Sequence, residues 1–105
     1  MIYIIDIDGT ICNVPVDDNG NNLYVDATPI QSRIDRVNSM YDEGHHITYW
    51  TSRGIRSGIS WGVLTEQQLA MWGCKYNVLY MNKPFYDLFI CDRAKSDLEF
   101  FNDSV

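Results

Sequence analysis

The segment Asp6-Ile7-Asp8-Gly9-Thr10 carries the chemistry most readily read from this chain of 105 residues. Two carboxylates two positions apart, where an apolar β-branched run ends, can face the same opening. One can attack an electrophile while the other moves protons. Gly9 permits a tight turn and a close approach of backbone to a phosphate. Backbone N–H groups exposed after such a turn suit an anion. Thr51 closes the apolar stretch Ile47 to Trp50, and Asp92 closes Leu88 to Cys91. Arg53 and Arg56 follow Thr51 closely, and an arginine can grip a phosphate with two parallel hydrogen bonds.

The elements that must position these residues are legible in outline. Ile2 to Ile7 is a continuous apolar run and predicts a central strand buried on both faces. Asn13 to Asp26 is rich in Asn, Asp and Gly, and its Asp18-Asn19-Gly20 predicts a β-hairpin flap. Thr28-Pro29 predicts a helix start, with Thr28 as cap and Pro29 in the first position. Ile30, Ile34, Val37 and Tyr41 recur at helical spacing, and Gly44 stops the helix. Ile47 to Trp50 is the second strand. Thr65 predicts the start of another helix, with Gln68 completing a capping box and Gly73 ending it. Val78 to Met81 and the shorter Leu88 to Cys91 read as strands, and Lys95 to Phe101 as a final helix. Strands alternating with helices predict one domain over residues 1–105 with a small parallel sheet, a Rossmann-like three-layer α/β/α arrangement. Ligands of such sheets sit at the carboxyl ends of the strands, where Asp6, Asp8, Thr51 and Asp92 fall.

Composition narrows the class. A net charge of −6 disfavours generic binding to duplex nucleic acid. Cys12, Cys74 and Cys91 are an odd, widely spaced set, which argues against a disulfide framework and for a reduced, cytoplasmic setting. No apolar run is long enough to span a bilayer. Cys74 reads as a small packed hydrophobe. His45 and His46 lie at the end of a strand opposite the expected site, so zinc is not expected. Trp61, Trp72 and Tyr76 read as core or interface residues.

Asp6-Ile7-Asp8-Gly9-Thr10 resembles the first motif of the haloacid dehalogenase superfamily of phosphatases, Asp-x-Asp-Gly-Thr. Thr51, Lys83 in Asn82-Lys83-Pro84, and Asp92 are similar to its second, third and fourth motifs, in the same order. The resemblance implies that Asp6 attacks phosphorus to form an aspartyl-phosphate, while Asp8 protonates the leaving oxygen and then activates water. It implies that Thr51 donates to a phosphoryl oxygen and that Lys83 neutralises charge. Gly9, Thr10, Ser52 and Arg53 would touch substrate. Mg²⁺ would be held by the Asp6 carboxylate, the Asp8 carbonyl, Asp92 and waters. The fourth motif departs from the adjacent acid pair common in such relatives, since Cys91 precedes Asp92 and is too soft a donor for Mg²⁺. Asp97 is a candidate second acid, with a solvated helix position as its simpler reading.

There is no room for a cap domain after the first motif or between the second and third. A capless site implies closure by a large substrate or by a second subunit of a homo-oligomer. The stretch Thr65 to Ala94 is similar to small phosphatases of capsule and sugar-phosphate metabolism. The arginine close after Thr51 is also similar to polynucleotide 3′-phosphatase modules. The acidic balance favours a small phosphorylated metabolite, such as a sugar phosphate or nucleotide, over a polynucleotide end. A catalytically inactive binding module on the same fold is the rival reading, with Cys91 as its main support.

Overall fold

The computed structural model describes residues 1–103. Strand β1 (Ile2–Asp6) runs parallel to β4 (His46–Trp50), and β4 runs parallel to β5 (Val78–Tyr80). A short antiparallel pair follows β1, made by β2 (Cys12–Asn13) and β3 (Thr28–Pro29). Helices α1 (Gln31–Asp42), α2 (Gly62–Met71) and α3 (Asp97–Phe101) flank the sheet. The result is the expected small α/β domain with a parallel sheet and a hairpin after the first strand. Among the described residues no helix is long and apolar enough to cross a membrane.

Successive side chains of a strand point to opposite faces, and this alternation decides the core. Ile5, Ile47 and Tyr49 are buried and meet Ile34, Val37 and Met40 of α1, Leu69 of α2 and Phe101 of α3 in one cluster. The other face differs: Ile2 is 75% exposed and Ile4 64%. The expectation of a central strand buried on both faces is therefore corrected. In the sheet order β1-β4-β5 the first strand lies at an edge, and only one of its faces is covered. A shallow cleft of about 270 Å³ marks the open face, lined by Ile4, Thr48, Trp50, Tyr80 and Asn82.

Four further expectations shift. Thr28 and Pro29 do not start α1. They pair with Asn13 and Cys12, and the helix begins at Gln31 without a side-chain cap. The buried face of α1 includes Met40, while Tyr41 lies outward. Helix α2 begins at Gly62, so Thr65 lies inside it and caps nothing. Leu88 to Cys91 forms no strand, and Leu88 and Ile90 are 76% and 86% exposed. Around that segment Tyr86 packs on Phe89 and Phe85 lies under Arg56, and no ladder forms. An apolar run forms a strand only where a neighbouring strand accepts its hydrogen bonds.

The local signals fared better. Asp17 accepts the amides of Asn19 and Asn21 on one carboxylate oxygen, and Gly20 takes φ 80°, which makes the flap's turn. A 3₁₀ turn at Tyr24–Asp26 then leads back to β3. Ser96 accepts the amide of Glu99 and so starts α3 two residues later than Lys95. Arg33 ties that helix down. Its guanidinium reaches Asp97 and Asp103, each at 2.7 Å, and lies 4.8 Å from the Phe101 ring centre. Asp97 is therefore neither a free surface acid nor a site acid.

Candidate active site

The loop after β1 is fixed from within. The Gly9 amide donates to the Cys12 carbonyl at 2.9 Å, and the Thr10 and Ile11 amides both donate to the Ile7 carbonyl. Gly9 takes φ 79° in this turn, which favours glycine. Ile7 and Ile11 are fully buried, and each such burial stabilises the loop by about 1.5–3 kcal/mol at most. These internal bonds use the Gly9 and Thr10 amides, so the expected backbone anion contact at those two residues is not what the turn offers. Thr10 acts through its hydroxyl, which donates to Asp6 Oδ2 at 3.2 Å.

Asp6 ends β1 opposite Trp50, which ends β4. Beyond the strands the pairing continues. The Thr51 amide donates to the Tyr80 carbonyl, and the Lys83 amide donates to the Thr51 carbonyl at 3.1 Å. This extension carries Lys83 across the sheet end, where Nζ lies 3.2 Å from Asp6 Oδ1. Burial alone would lower the Lys83 ammonium, but the Asp6 carboxylate and the Tyr86 hydroxyl more than offset it, so the group is raised above its usual 10.5. Thr51 is buried, and its Oγ1 accepts the Arg53 amide at 3.2 Å, leaving the hydroxyl proton free to donate.

Asp6, Asp8, Thr51, Ser52 and Lys83 line one cleft of about 250 Å³, with Phe85 and Tyr86 completing its wall. Residues from the ends of β1 and β4 and from the loop after β5 thus converge as the strand-end rule requires. The cleft on the open sheet face is lined by no carboxylate and no cation and offers no comparable chemistry.

Arg53 does not point at this cleft as a substrate-binding residue would. Its side chain is 0% exposed and pairs with Asp8. Nε lies 3.1 Å from both Asp8 oxygens, and Nη2 lies 2.8 Å from Oδ1. Nη1 donates to Thr65 Oγ1 at 3.1 Å and to Gln68 Oε1 at 2.7 Å. Thr65 and Gln68, expected as a capping box, are instead the acceptors that hold Arg53 in place. Cys12 adds a thiol contact of 3.5 Å to Asp8 Oδ1. Burial and the neighbouring Asp8 carboxylate push that thiol up to about 12, which keeps it neutral and unreactive.

Asp92 is exposed and its near contact is Cys91, with Sγ 3.8 Å from Oδ1. It does not line the cleft. Among the described residues no three acidic, histidine or cysteine groups gather closely enough to hold a metal ion. Mg²⁺ needs near-octahedral oxygen ligation. Here the Asp6 carboxylate is engaged by Lys83 and Thr10, and Asp92 stands outside the cleft that Asp6 and Asp8 line. The residues as arranged do not fit the Asp6, Asp8 and Asp92 ligand set.

Sequence reasoning missed Tyr24, Thr65, Gln68, Phe85 and Tyr86. A signal existed for two of them: Thr65 and Gln68 are polar, three apart, and beside the buried Leu69 on α2. Buried polar side chains at helical spacing require a polar partner.

No family model matches the chain, and no curated protein matches it. The chain is similar to the crystal structure of a structural genomics target from Vibrio cholerae, with a TM-score of 0.82 and 22% sequence identity. The match covers 99% of this chain and 89% of that one. At this identity the likeness is one of fold alone.

Proposed function

We propose that this chain is a phosphomonoester hydrolase of the haloacid dehalogenase type, with Asp6 as its nucleophile. The observation that carries the reading is the shared cleft of Asp6, Asp8, Thr51 and Lys83 at the strand ends, with Lys83 Nζ 3.2 Å from Asp6 Oδ1. An Asp6 oxygen attacks phosphorus, the bond to the leaving oxygen breaks, and Asp8 supplies that oxygen with a proton. Water then attacks the aspartyl-phosphate, Asp8 takes its proton, and inorganic phosphate leaves with Asp6 restored. Lys83 offsets charge on the transferring group, and the Thr51 hydroxyl donates to it. Whether turnover requires Mg²⁺ is part of the test.

The substrate in this reading is a small phosphorylated metabolite, such as a sugar phosphate or nucleotide. The cleft is small and open, and among the described residues Lys83 is the one cation in its lining. A second copy of the chain is the proposed cover for the open sheet face, where Ile2, Ile4 and Tyr80 are exposed. Exposed apolar side chains gathered on one sheet face suit association.

A second reading is a binding module. It is favoured by the engagement of both carboxylates and the absence of a metal-holding trio among the described residues. Phosphate release from a panel of sugar phosphates, nucleotides and a 3′-phosphorylated oligonucleotide, with and without Mg²⁺, separates the two. Release that vanishes in Asp6→Asn supports the hydrolase. No release from the folded protein across the panel supports the binding module.

A further inference from the structure

The two oxygens of Asp8 are not equivalent. Oδ1 receives Arg53 Nη2 at 2.8 Å, Arg53 Nε at 3.1 Å and the Cys12 thiol at 3.5 Å. Oδ2 receives only the shared Nε, also at 3.1 Å. The Cys12 thiol has one proton and also faces the Ile7 carbonyl at 3.6 Å, so the two guanidinium donors are what occupy Oδ1. An oxygen already accepting both has little capacity left to carry a proton, whereas Oδ2 keeps a lone pair free. The asymmetry is imposed by Arg53, and Arg53 is in turn imposed upon by its surroundings. Thr65 and Gln68, one turn apart on α2, fix its Nη1. The Gln68 amide nitrogen also donates to the Tyr24 carbonyl at 2.6 Å, and the Tyr24 ring lies 4.8 Å from the guanidinium carbon. Trp61, just before α2, packs edge-on against that ring at 5.3 Å. The flap, the loop after β4 and the start of α2 thus meet on one buried guanidinium.

A buried ion pair is a weak source of stability, because desolvation of both charges offsets their attraction. What this one supplies is orientation. We propose that Arg53 is a positioning residue that occupies Oδ1 of Asp8, is held by Gln68 against the flap, and leaves Oδ2 as the oxygen that exchanges a proton with the leaving group. The role rests on the phosphatase reading, in which Asp8 is the acid. It also gives the flap a part in the reaction, because displacing Tyr24 would loosen Gln68, Arg53 and then Asp8.

The experiment compares kcat/KM for p-nitrophenyl phosphate and phenyl phosphate in wild type, Asp8→Asn, Arg53→Lys and Gln68→Met. This parameter reports the step in which the ester oxygen departs. p-Nitrophenolate departs without a proton far more readily than phenolate. A positioning role therefore shows as a loss of about tenfold or more on phenyl phosphate with a much smaller loss on p-nitrophenyl phosphate. Arg53→Lys and Gln68→Met should share this leaving-group dependence with Asp8→Asn, and Arg53→Lys should be less affected than Arg53→Ala. Equal losses on both esters, or none, in folded Arg53 and Gln68 variants overturn the role while Asp8→Asn still upholds the phosphatase reading. Failure of both Arg53→Lys and Gln68→Met to fold assigns the cluster to stability and overturns the role as well. Absence of turnover by wild type on both esters, or no leaving-group dependence in Asp8→Asn, removes the reading itself.

Discussion

Lys83 Nζ and Asp6 Oδ1 lie 3.2 Å apart although 77 positions separate them in the chain. The contact is built by backbone pairing that outlasts the strands, from Tyr80 to Thr51 and from Thr51 to Lys83. It places the Lys83 ammonium on the carboxylate proposed to attack phosphorus. Lys83 also lies 5.6 Å from the Trp50 ring centre and 5.1 Å from that of Tyr86, so aromatic faces surround the ammonium on two sides.

Lys83→Met is expected to lower kcat/KM for p-nitrophenyl phosphate by about 10²–10³-fold, the usual loss for one preorganised donor to a developing charge. The pH profile gives a second check. The Lys83 ammonium is raised above 10.5, with burial opposing and the Asp6 carboxylate prevailing. Its charge is therefore complete below 10.5 and is lost only as pH rises through a still higher value. An alkaline fall in kcat/KM centred near pH 8 that disappears in Lys83→Arg would contradict this assignment.

The cysteines should separate by reactivity. Cys91 is exposed, whereas Cys12 is buried and pushed up to about 12, and Cys74 to about 11, in both cases first by burial. A thiol reagent at about pH 8 should label Cys91 quickly in the native protein and reach Cys12 only after unfolding. The same shifts set an alkaline limit. Above the usual value of 9.0 the unfolded chain releases these two protons while the folded chain retains them. Stability then falls with rising pH, and the denaturant midpoint should be lower at about pH 10.5 than at about pH 8. Rapid native labelling of Cys12 would show that its enclosure is not as described.

Gly54 cannot be replaced without moving backbone. A Cβ there would lie 2.1 Å from the Ile59 carbonyl oxygen, and the residue takes φ 85°. The loop it closes also brings Trp61 onto Tyr24. Gly54→Ala is expected to destabilise by about 1–3 kcal/mol from backbone strain, measured as a drop in Tm by circular dichroism. An unchanged Tm would mean that the loop relaxes freely.

Features set by neighbouring residues were readable in the sequence. Asp6 and Asp8 do share an opening, Gly20 does make the flap's turn, and Gly44 does end α1, with the His45 amide bonded to the Met40 carbonyl. Each depends on residues within a few positions. Features set by distant partners were not readable. Ile2 and Ile4 carry the same apolar signal as Ile5, yet only Ile5 meets the helices. Thr65 and Gln68 fit a capping box by spacing, but a buried guanidinium is a stronger claim on their oxygens than two frayed amides. Leu88 to Cys91 has strand composition, but no strand pairs with it.

The second-copy proposal makes its own demand on the open sheet face. Ile4 and Tyr80 flank its shallow cleft, and neither belongs to the catalytic cleft. If a second copy covers this face, sedimentation of the wild-type protein should show a dimer or larger species. Ile4→Lys should shift it to monomer, because a lysine there puts an uncompensated charge into an apolar contact. A monomeric wild type at all concentrations would leave the face without its proposed cover.

Arg33 should couple the C-terminal helix to the loop that carries Asp6 and Asp8. Its Nη1 donates to the Thr10 carbonyl at 3.0 Å as well as to Asp97, and Nε and Nη2 donate to Asp103. Arg33→Met keeps the stem over Phe101 but removes the cation, leaving the Thr10 carbonyl short of a donor. A loss of about 1 kcal/mol is expected for such an abandoned, partly buried acceptor. The pH dependence has a definite sign. The Arg33 guanidinium holds the Asp103 carboxyl below its usual 3.8. The pair therefore contributes fully above that value and is lost as pH falls through the lower folded value. The difference in denaturant midpoint between wild type and Arg33→Met should accordingly be constant from about pH 7 to 5 and shrink below about pH 3.8. A difference that persists undiminished into strong acid would assign the effect to packing on Phe101 alone and sever the proposed link between α3 and the site loop.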